Sequence, residues 1–364
     1  MRLIRLTEEY IEKIVDGEDT LPRGTVRDCA LALGAFDGLH RGHRELIQAI
    51  REAKTRRSLA ASCLFTFRRH PRLVLNRPTE PFLLTTWREK LSLLSETGLD
   101  VVVAADFCRS LAKLSYRDFV RRFLVEFLGM KHFVAGHDVH LGADRGGNVD
   151  TLDALGSELG YGFEVVSALR QGGRTISSSA IRAALARGDV QAASHMLGRP
   201  YSLWGEVTPG EHRGRSIGYP TANITPLFEY KLLPAPGVYA VRVQLPGDAA
   251  SAGSEDGELA RVEEILPEID RSGSILSMGP SEWAVFGGML NYGHVPTFHD
   301  TGLNKPRVEA HIFDFDGDLR GRTIKIEWIR RLRDERKFGG IETLVRQLGQ
   351  DEVAARQALG MPTR

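Results

Sequence analysis

The sequence predicts two dissimilar domains, an α/β domain built on a parallel sheet and a second, antiparallel β domain. Between residues 28 and 200, short apolar runs alternate with amphipathic helical patterns, as they do when helices cover both faces of a parallel sheet. From about residue 201, strand-like runs separated by turn residues take over, which is typical of an antiparallel barrel or sandwich. The change falls near "LGRP" (197–200), so we expect domains 1–198 and 199–364.

Five strands, each followed by a helix, are predicted in the first domain. The strand-like runs are "CALALGAF" (29–36), "ASCLFTF" (61–67), "DVVVAADF" (100–107), "KHFVAG" (131–136) and "FEVVSAL" (163–169). The helical patterns are "HRELIQAIREAKTRR" (43–57), "WREKLSLLSETG" (87–98), "SYRDFVRRFLVEFLG" (115–129), "DTLDALGSELG" (150–160) and "SSSAIRAALARG" (177–188). Because ligands of such sheets bind beyond the carboxyl ends of the strands, the loops after the strands are where a site is expected.

Strand-like runs also order the second domain. They are "YSLWGEVT", "GVYAVRVQL", "SEWAVFGGML", "RVEAHIFDF" and "TIKIEWIRRL". A helical tail, "IETLVRQLGQDEVAARQAL" (341–359), follows the last of them. Residues 247–281 are rich in Gly, Ser and acidic residues, and we interpret them as a long insertion between two strands.

Composition excludes several classes of protein. The formal net charge of +1 gives no basis for nucleic-acid binding, and no apolar run approaches the roughly 18 residues of a membrane helix. The N-terminus carries acidic residues where a signal peptide would be apolar. Cys29, Cys63 and Cys108 are widely spaced and form no CxxC. We therefore expect a cytoplasmic protein with buried, unpaired thiols.

The stretch "GAFDGLHRGH" (34–43) is the first candidate site. Gly38 and Gly42 flank a tight turn after a strand, and a helix is expected to start near Arg41. His40 and His43 would then lie one turn apart at that helix's N-terminus, where backbone N–H groups and the helix dipole attract anions. Imidazoles there can stabilise charge that develops during phosphoryl or nucleotidyl transfer. A zinc site or a buried structural pair are the alternatives, although no HExxH or CxxC supplies a third zinc ligand.

Two further stretches are suited to phosphate. Ser177, Ser178 and Ser179 offer hydroxyl and N–H groups at a helix start, and Arg182 follows three residues later, so they can hold the β- and γ-phosphates of ATP. An ordinary serine N-cap with a solvated arginine is the alternative.

The other stretch is "GEHRGRSIGYPTANI" (210–224). Its glycines, Gly210, Gly214 and Gly218, let backbone N–H groups approach phosphates closely. Thr221 and Asn223 lie two apart on an extended chain and offer neutral oxygens to Mg²⁺. By contrast, Asp314, Asp316 and Asp318 have EF-hand spacing without the rest of the loop pattern, and we interpret them as a turn.

These stretches resemble, in order, the motifs of bacterial bifunctional riboflavin kinase/FAD synthetases. "GAFDGLHRGH" is similar to the opening motif of that family, which carries the HxGH signature of Rossmann-like nucleotidyltransferases, and "TFRRHP" (66–71) and "AGHDVHLGADRGG" (135–147) match later ones. "ISSSAIR" resembles the second signature, and "LLTTWREKLSLLSETGLD" a strand–helix step between them. "GYPTAN", "NYGHVPTF" (291–298) and "VEAHIFDFDGDL" resemble the riboflavin kinase motifs.

The resemblance implies a nucleotidyltransferase domain and a β-barrel riboflavin kinase domain with a C-terminal helix. The first would transfer AMP from ATP to FMN, giving FAD and pyrophosphate, and the second would phosphorylate riboflavin to FMN. His40 and His43 would stabilise charge, Glu309 would act as the base, and Thr221 and Asn223 would serve Mg²⁺. The expected nucleotide-binding residues are Gly34, Phe36, Asp37, Gly38, Ser177, Ser178, Ser179, Arg182, Gly210, Gly214 and Gly218, and the expected flavin-binding residues are Asp138 and Asn291, with Thr297 near the nucleotide or flavin.

The sequence departs from the family pattern at several of these positions. Arg68 and Arg69 stand where the family usually has an acidic or polar residue and Pro. Val139 and Leu141 replace two Phe residues, and Ser179 replaces a commoner Thr. Alternative functions are therefore a chain that retains one activity, a flavin-binding regulator, and a transferase that uses another acceptor; the expected partners are small molecules, with no nucleic acid and no membrane.

Overall fold

The computed structural model describes residues 1–17, 25–210, 214, 217–245, 283–294 and 306–363. Its backbone contacts divide the chain into two compact units. Among the described residues, the first unit holds 1–17, 25–80 and 85–177, and the second holds 81–84 and everything from residue 178 onward. The predicted insertion at 247–281 lies outside the described residues.

The first unit is built on a six-stranded sheet in which every neighbouring pair of strands is parallel, in the order β1-β4-β3-β2-β5-β6. The strands are β1 (Arg2–Leu6), β2 (Cys29–Leu33), β3 (Ala61–Phe67), β4 (Val101–Ala105), β5 (Met130–Gly136) and β6 (Gly162–Val166). The parallel sheet and its five predicted strands are confirmed. Strand β1 was missed from the sequence, because its buried Ile4 and Leu6 alternate with the partly exposed Leu3 and Arg5, as fits a half-buried edge strand rather than a continuous buried run.

Helices cover both faces of this sheet. They are α1 (Glu8–Asp16), α2 (Arg41–Arg56), α3 (Pro71–Leu75), α4 (Trp87–Ser95), α5 (Arg109–Ala112), α6 (Tyr116–Phe119), a π-helical continuation (Val120–Phe127) and α7 (Val149–Leu159). Successive residues of β2 enter different apolar cores: Leu31 packs in one, and Ala30 and Ala32 pack in the other. A central parallel strand buried on both sides explains why its sequence reads as uninterrupted apolar residues.

The second unit is a closed six-stranded antiparallel barrel, in the order β10-β13-β12-β11-β14-β9. In the first unit, β7 (Arg170–Gln171) and β8 (Arg174–Thr175) form a separate two-stranded hairpin. The barrel strands are β9 (Tyr201–Thr208), β10 (Ala222–Pro226), β11 (Gly237–Leu245), β12 (Ala284–His294), β13 (Pro306–Ile312) and β14 (Thr323–Arg333). Of the two predicted alternatives, a barrel and a sandwich, the structure has the barrel. It adds β10, a short strand that begins inside the predicted phosphate-binding stretch (210–224) and ends two residues beyond it.

Three helices pack on the barrel: α8 (Ser178–Ala186), α9 (Val190–Leu197) and α10 (Ile341–Leu359). Ile181, Leu185 and Leu197 join the same apolar core as the barrel's Leu203 and Trp328. The contacts therefore divide the chain at Ser177, and the domain boundary near residue 198 stays a prediction.

Helix α10 lies against the outside of the barrel and confirms the predicted C-terminal helix. Its Ala355 packs with Ala240, Met289 and Phe313. The buried Asp351 accepts a bidentate pair of hydrogen bonds from Arg333, the shorter of 2.7 Å. A buried charge pair of this kind fixes how the helix sits, because leaving either partner uncompensated is costly.

All three cysteines are free and buried, which confirms that expectation. No helix in the described parts of the chain is long and apolar enough to cross a membrane.

Candidate active sites

The first candidate site begins where β2 ends, in the loop Gly34–Leu39. The loop turns sharply: Phe36 and Leu39 have φ angles of 49° and 39°, and Gly38 has 84°. The φ angles of Phe36 and Leu39 lie in the left-handed region, which costs a non-glycine residue on the order of 1–3 kcal/mol. Both side chains are buried, so packing holds them in this conformation.

The histidine pair stands at the start of helix α2, as the sequence predicts. His40 is the N-cap residue, and its Nδ1 accepts a hydrogen bond of 3.3 Å from the His43 N–H. The two rings stack with their centroids 3.6 Å apart, and the Phe36 ring lies 4.8 Å from that of His43. Because Nδ1 accepts, the His40 imidazole is neutral and carries its proton on Nε2. It can therefore act as a neutral hydrogen-bond donor near the positive end of the helix dipole.

Asp37 is buried and shapes the turn from within. Its Oδ1 accepts hydrogen bonds from the Thr85 N–H (3.0 Å) and hydroxyl (3.2 Å), and the Gly38 N–H donates to the Thr85 hydroxyl at 3.0 Å. Thr85 was missed from the sequence, because nothing in "LLTTWREK" shows which of its polar side chains face the loop. Lys90, five residues later, was missed as well; a lysine at a buried position of α4 is its only signal.

The serine run lies partly beside this loop. A Cβ on Gly42 would lie 3.3 Å from the His40 ring and 3.7 Å from the Ile176 carbonyl, so within the first unit the chain leading to Ser177 passes the start of α2. Ser178 begins helix α8 in the second unit, and Ser179 follows it. In that unit the Arg182 Nε donates to the Phe82 carbonyl at 2.7 Å. A joint grip of these residues on phosphate stays a prediction.

The departures at Arg68 and Arg69 differ in their surroundings. Arg68 donates from Nε to Asp106 at 2.8 Å, and Arg5 approaches the same carboxylate at 3.5 Å. Arg68 therefore ties the end of β3 to β4 and β1, which gives it a structural role of its own. Arg69 is exposed.

Asp138 lies just beyond β5, at the carboxyl edge of the sheet. It is exposed, and its carbonyl lies 2.9 Å from Nδ1 of His140. Val139 and Leu141 are partly buried against the apolar core of the first unit. Val139 and Leu141 therefore contribute to packing. Contact of Asp138 with a flavin stays a prediction.

The second candidate site lies across three neighbouring barrel strands. Glu309 on β13 is the register partner of Asn223 on β10 and of Asn291 on β12. Directly paired residues project from the same face of a sheet, so the three polar side chains form one row, which we call the Glu309 row. Their neighbours Leu290 and Ala310 are buried in the barrel, so the row is on its outer face. Arg307, two residues before Glu309, pairs with it at 2.6 Å.

The glycine-rich stretch is held close to this row. A Cβ on Gly210 would collide with the Asn223 side-chain amide, so a larger residue there would displace that amide. The Gly214 carbonyl accepts from the N–H groups of Ile217 (3.2 Å) and Tyr219 (2.9 Å), and Gly218 has a φ of 83°. Thr221 precedes β10 and is exposed. Residues 211–213, 215–216 and Thr297 lie outside the described residues.

A histidine fastens the "GYPTAN" segment to the strand that carries Glu309. The His311 Nδ1 lies 2.7 Å from the Pro220 carbonyl, and the Tyr219 ring contacts the His311 ring edge-on at 5.3 Å. Burial raises the pKa of Tyr219, as do the nearby carboxylates of Glu352 and Asp351 on α10. The segment is therefore held between β13 and α10.

The aspartates at 314, 316 and 318 form a turn, as expected. Asp314 has a φ of 58° and accepts hydrogen bonds from Arg356 at 3.1 and 3.2 Å, while Asp318 pairs with Arg320. In the residues that the structure describes, no three His, Cys, Asp or Glu side chains gather as a metal site.

A strained loop with a histidine-capped helix on a parallel sheet, together with a polar row on a barrel, gives the chain two polar sites suited to an enzyme that transfers phosphate groups. A FAD synthetase family model matches residues 23–180, and a riboflavin kinase family model matches residues 197–359. The chain belongs to the bifunctional riboflavin kinase/FMN adenylyltransferase family.

Curated relatives match over most of their length. The Bacillus subtilis bifunctional riboflavin kinase/FMN adenylyltransferase is 34% identical over 89% of this chain and 90% of its own. The Escherichia coli K12 enzyme of the same description is 33% identical over 96% of this chain and 98% of its own. A solved structure described as a macrolide-efflux protein from Streptococcus pneumoniae is 28% identical, with a TM-score of 0.76 over 98% of this chain and 99% of that chain.

Proposed function

We propose that this chain carries out both steps that lead from riboflavin to FAD. The second unit transfers the γ-phosphate of ATP to riboflavin, giving FMN and ADP. The first unit transfers AMP from a second ATP to FMN, giving FAD and pyrophosphate. The observation that supports this most is that each unit presents its own polar site, at the motif that resembles the matching half of the family.

In the first unit, the nucleophile is an oxygen of the FMN phosphate, which is already an anion. It attacks the α-phosphorus of ATP, and the bond from that phosphorus to the pyrophosphate oxygen breaks. No base is needed, so the work of the protein is to stabilise charge that develops on the phosphoryl oxygens. For this role we propose His40, as a neutral donor, and His43, at the N-terminus of α2. We propose Ser177, Ser178, Ser179 and Arg182 as contacts of the β- and γ-phosphates.

In the second unit, the nucleophile is the neutral 5′-hydroxyl of riboflavin. Its proton passes to the Glu309 carboxylate as its oxygen attacks the γ-phosphorus, and ADP leaves. A positioned base suits an alcohol, and Glu309 lies between two amides that can orient substrate. We propose Asn291 for the flavin side and Gly210, Gly214 and Gly218 for the phosphates of ATP.

Mg²⁺ is the proposed cofactor of the kinase site. The Thr221 hydroxyl and the Asn223 carbonyl are hard, neutral oxygen donors, and the Glu309 carboxylate stands beside Asn223 in the row. Such a sparse set suits an ion that keeps several waters and is held largely by substrate phosphates. When bound, Mg²⁺ neutralises phosphate charge. We further propose action in the cytoplasm, which three unpaired buried thiols favour.

The test supplies purified protein with riboflavin, ATP and Mg²⁺ and separates the flavins by chromatography over time. We expect FMN to appear first and FAD to follow. Accumulation of FMN without FAD would show that the chain has only the riboflavin kinase activity. Tight flavin binding without ATP turnover would indicate a regulator. Supplying FMN directly tests the second step by itself.

A further inference from the structure

Lys90 is a buried cation at the base of the first site. On helix α4 it is only 5% exposed, and its ammonium donates to the Ala35 carbonyl at 2.8 Å and the Phe67 carbonyl at 3.0 Å. Burial lowers the pKa of Lys90 to about 8, although Asp37 opposes the shift. A buried lysine is expensive, and both carbonyls belong to the chain that forms the site.

The two carbonyls lie where the ladder between β2 and β3 stops. The Phe65 carbonyl still accepts from the Gly34 N–H at 3.1 Å. Two residues further along β3, the Phe67 carbonyl faces the same side, because alternate residues of a strand do. By then β2 has turned away into its loop, and the Lys90 ammonium takes the place of the missing backbone donor. Lys90 therefore fixes how far the two strand ends separate.

One short segment holds the loop at two points. Thr85 binds Asp37 and Gly38, and Lys90 binds Ala35, whose carbonyl also accepts from the Thr66 hydroxyl at 3.3 Å. A capping box fixes the start of α4: the Thr86 N–H donates to Glu89 at 2.8 Å, and the Glu89 N–H donates to Thr86 at 3.2 Å. The strained loop that ends at His40 is thus anchored to a preformed helix turn.

We propose that Lys90 is a positioning residue for adenylyl transfer: by holding the carbonyls of Ala35 and Phe67, it sets the loop that places His40 and His43. The inference rests on the proposed transfer of AMP by the first unit. Lys90 is covered by the loop and acts through backbone carbonyls. A displacement of about 1 Å at a reacting centre can cost about 100-fold in rate.

The test replaces Lys90 by Met, which keeps most of the length and removes the donors. We expect kcat for FAD formation from FMN to fall roughly 10- to 100-fold, with the KM for FMN and ATP within about threefold and FMN formation unchanged. Thermal stability is measured alongside, because Met removes a buried charge but also leaves the Phe67 carbonyl without its ammonium donor, and rates are compared per folded molecule. Lys90→Gln, whose amide keeps two N–H donors, should lie between Met and wild type.

Lys54→Met is the matched control. Lys54 pairs with Asp100 at 2.8 Å, next to the amino end of β4, whereas the first site lies at the carboxyl ends of the strands. The Lys54→Met variant should therefore retain full activity. Amide hydrogen exchange across residues 34–43 should accelerate in Lys90→Met alone, and this readout needs no activity.

The outcomes separate the inference from the proposed function. If wild type and Lys54→Met make no FAD from FMN, the proposed function fails, and exchange at 34–43 still decides whether Lys90 holds the loop. If wild type is active and Lys90→Met keeps its kcat, or if Gln is no better than Met, the inference is overturned. A fall in thermal stability with unchanged activity per folded molecule would show a structural role only, and would also overturn it.

Discussion

In the parallel sheet the polar site lies in a loop beyond the strands, whereas in the barrel it lies on the strands themselves. The loop that ends at His40 has left-handed φ angles at Phe36 and Leu39 and needs anchors on another segment. The Glu309 row takes its geometry from the register of three paired strands. A loop can curve around a phosphate, but other segments must hold it in place. A row of side chains on paired strands is already held by the backbone hydrogen bonds, but it offers its groups only along one straight line.

The difference matches the two chemistries. An anionic phosphate nucleophile needs donors arranged around it, which a turn leading into a helix start supplies. A neutral hydroxyl needs one base at a fixed distance, and a side chain in the middle of a strand is fixed well. The two sites should therefore fail independently and for different reasons.

The largest difference between the two activities should come from Glu309→Gln, which keeps the shape of the row and removes the base. FMN formation from riboflavin should fall about 10³-fold, and FAD formation from supplied FMN should stay within about twofold. Initial rates with each flavin, followed by chromatography, measure both. Equal loss of both activities in a folded variant would break the comparison.

His43→Ala should show the reverse pattern. Loss of a group that stabilises transition-state charge should lower FAD formation about 10²- to 10³-fold, while FMN formation is retained. His195→Ala is a control at an exposed histidine outside both proposed sites, on α9, and should change neither rate. Retention of FAD formation by His43→Ala would refute the assignment of the first site.

The stability of the barrel should depend more on the charge pair that holds helix α10 than on an exposed charge pair. In Asp351→Ala the partly buried Arg333 loses its bidentate partner, and the barrel should lose about 3 kcal/mol of stability in a denaturant titration. Asp318→Ala removes an aspartate–arginine pair that is fully exposed, and no measurable loss is expected. If the two variants unfold alike, α10 is not fastened by its buried charges.

The smallest expected effect is on the stability of the protein at mildly acidic pH. Burial lowers the pKa of His132 below its ordinary value, against the opposing influence of Glu164, which lies 3.2 Å from it. Between that lowered pKa and 6.5 the unfolded chain binds more protons than the folded one, so stability falls as the pH drops below 6.5. Denaturant titrations at pH 7.5 and 5.5 should show a smaller difference in His132→Gln than in wild type. An equal difference would exclude His132 as a source.

Sequence patterns predicted the inner strands and the histidine pair for definite physical reasons. Strands buried on both faces read as apolar runs, and Gly38 between a strand and a histidine-capped helix marks a tight turn. The strand Arg2–Leu6 was missed because only alternate residues are buried. The roles of Thr85 and Lys90 depend on where α4 packs, which no local pattern encodes.

The Glu309 row shows the same limit more strongly. Asn223, Asn291 and Glu309 are far apart in the chain and meet only through the barrel register. The resemblance to the family pointed to Glu309, and the residue pattern alone gave no reason to choose it among the strand carboxylates. Register is set by the whole barrel, so it cannot be read from one strand.

Mixing the two single-site variants tests the independence of the sites most directly. Glu309→Gln alone should leave riboflavin unconverted, and His43→Ala alone should stop at FMN. Together, with ATP and Mg²⁺, they should convert riboflavin to FAD, because FMN released by one is the substrate of the other. A mixture that still stops at FMN, although Glu309→Gln makes FAD from supplied FMN at the same concentration, would contradict two separate, complete sites.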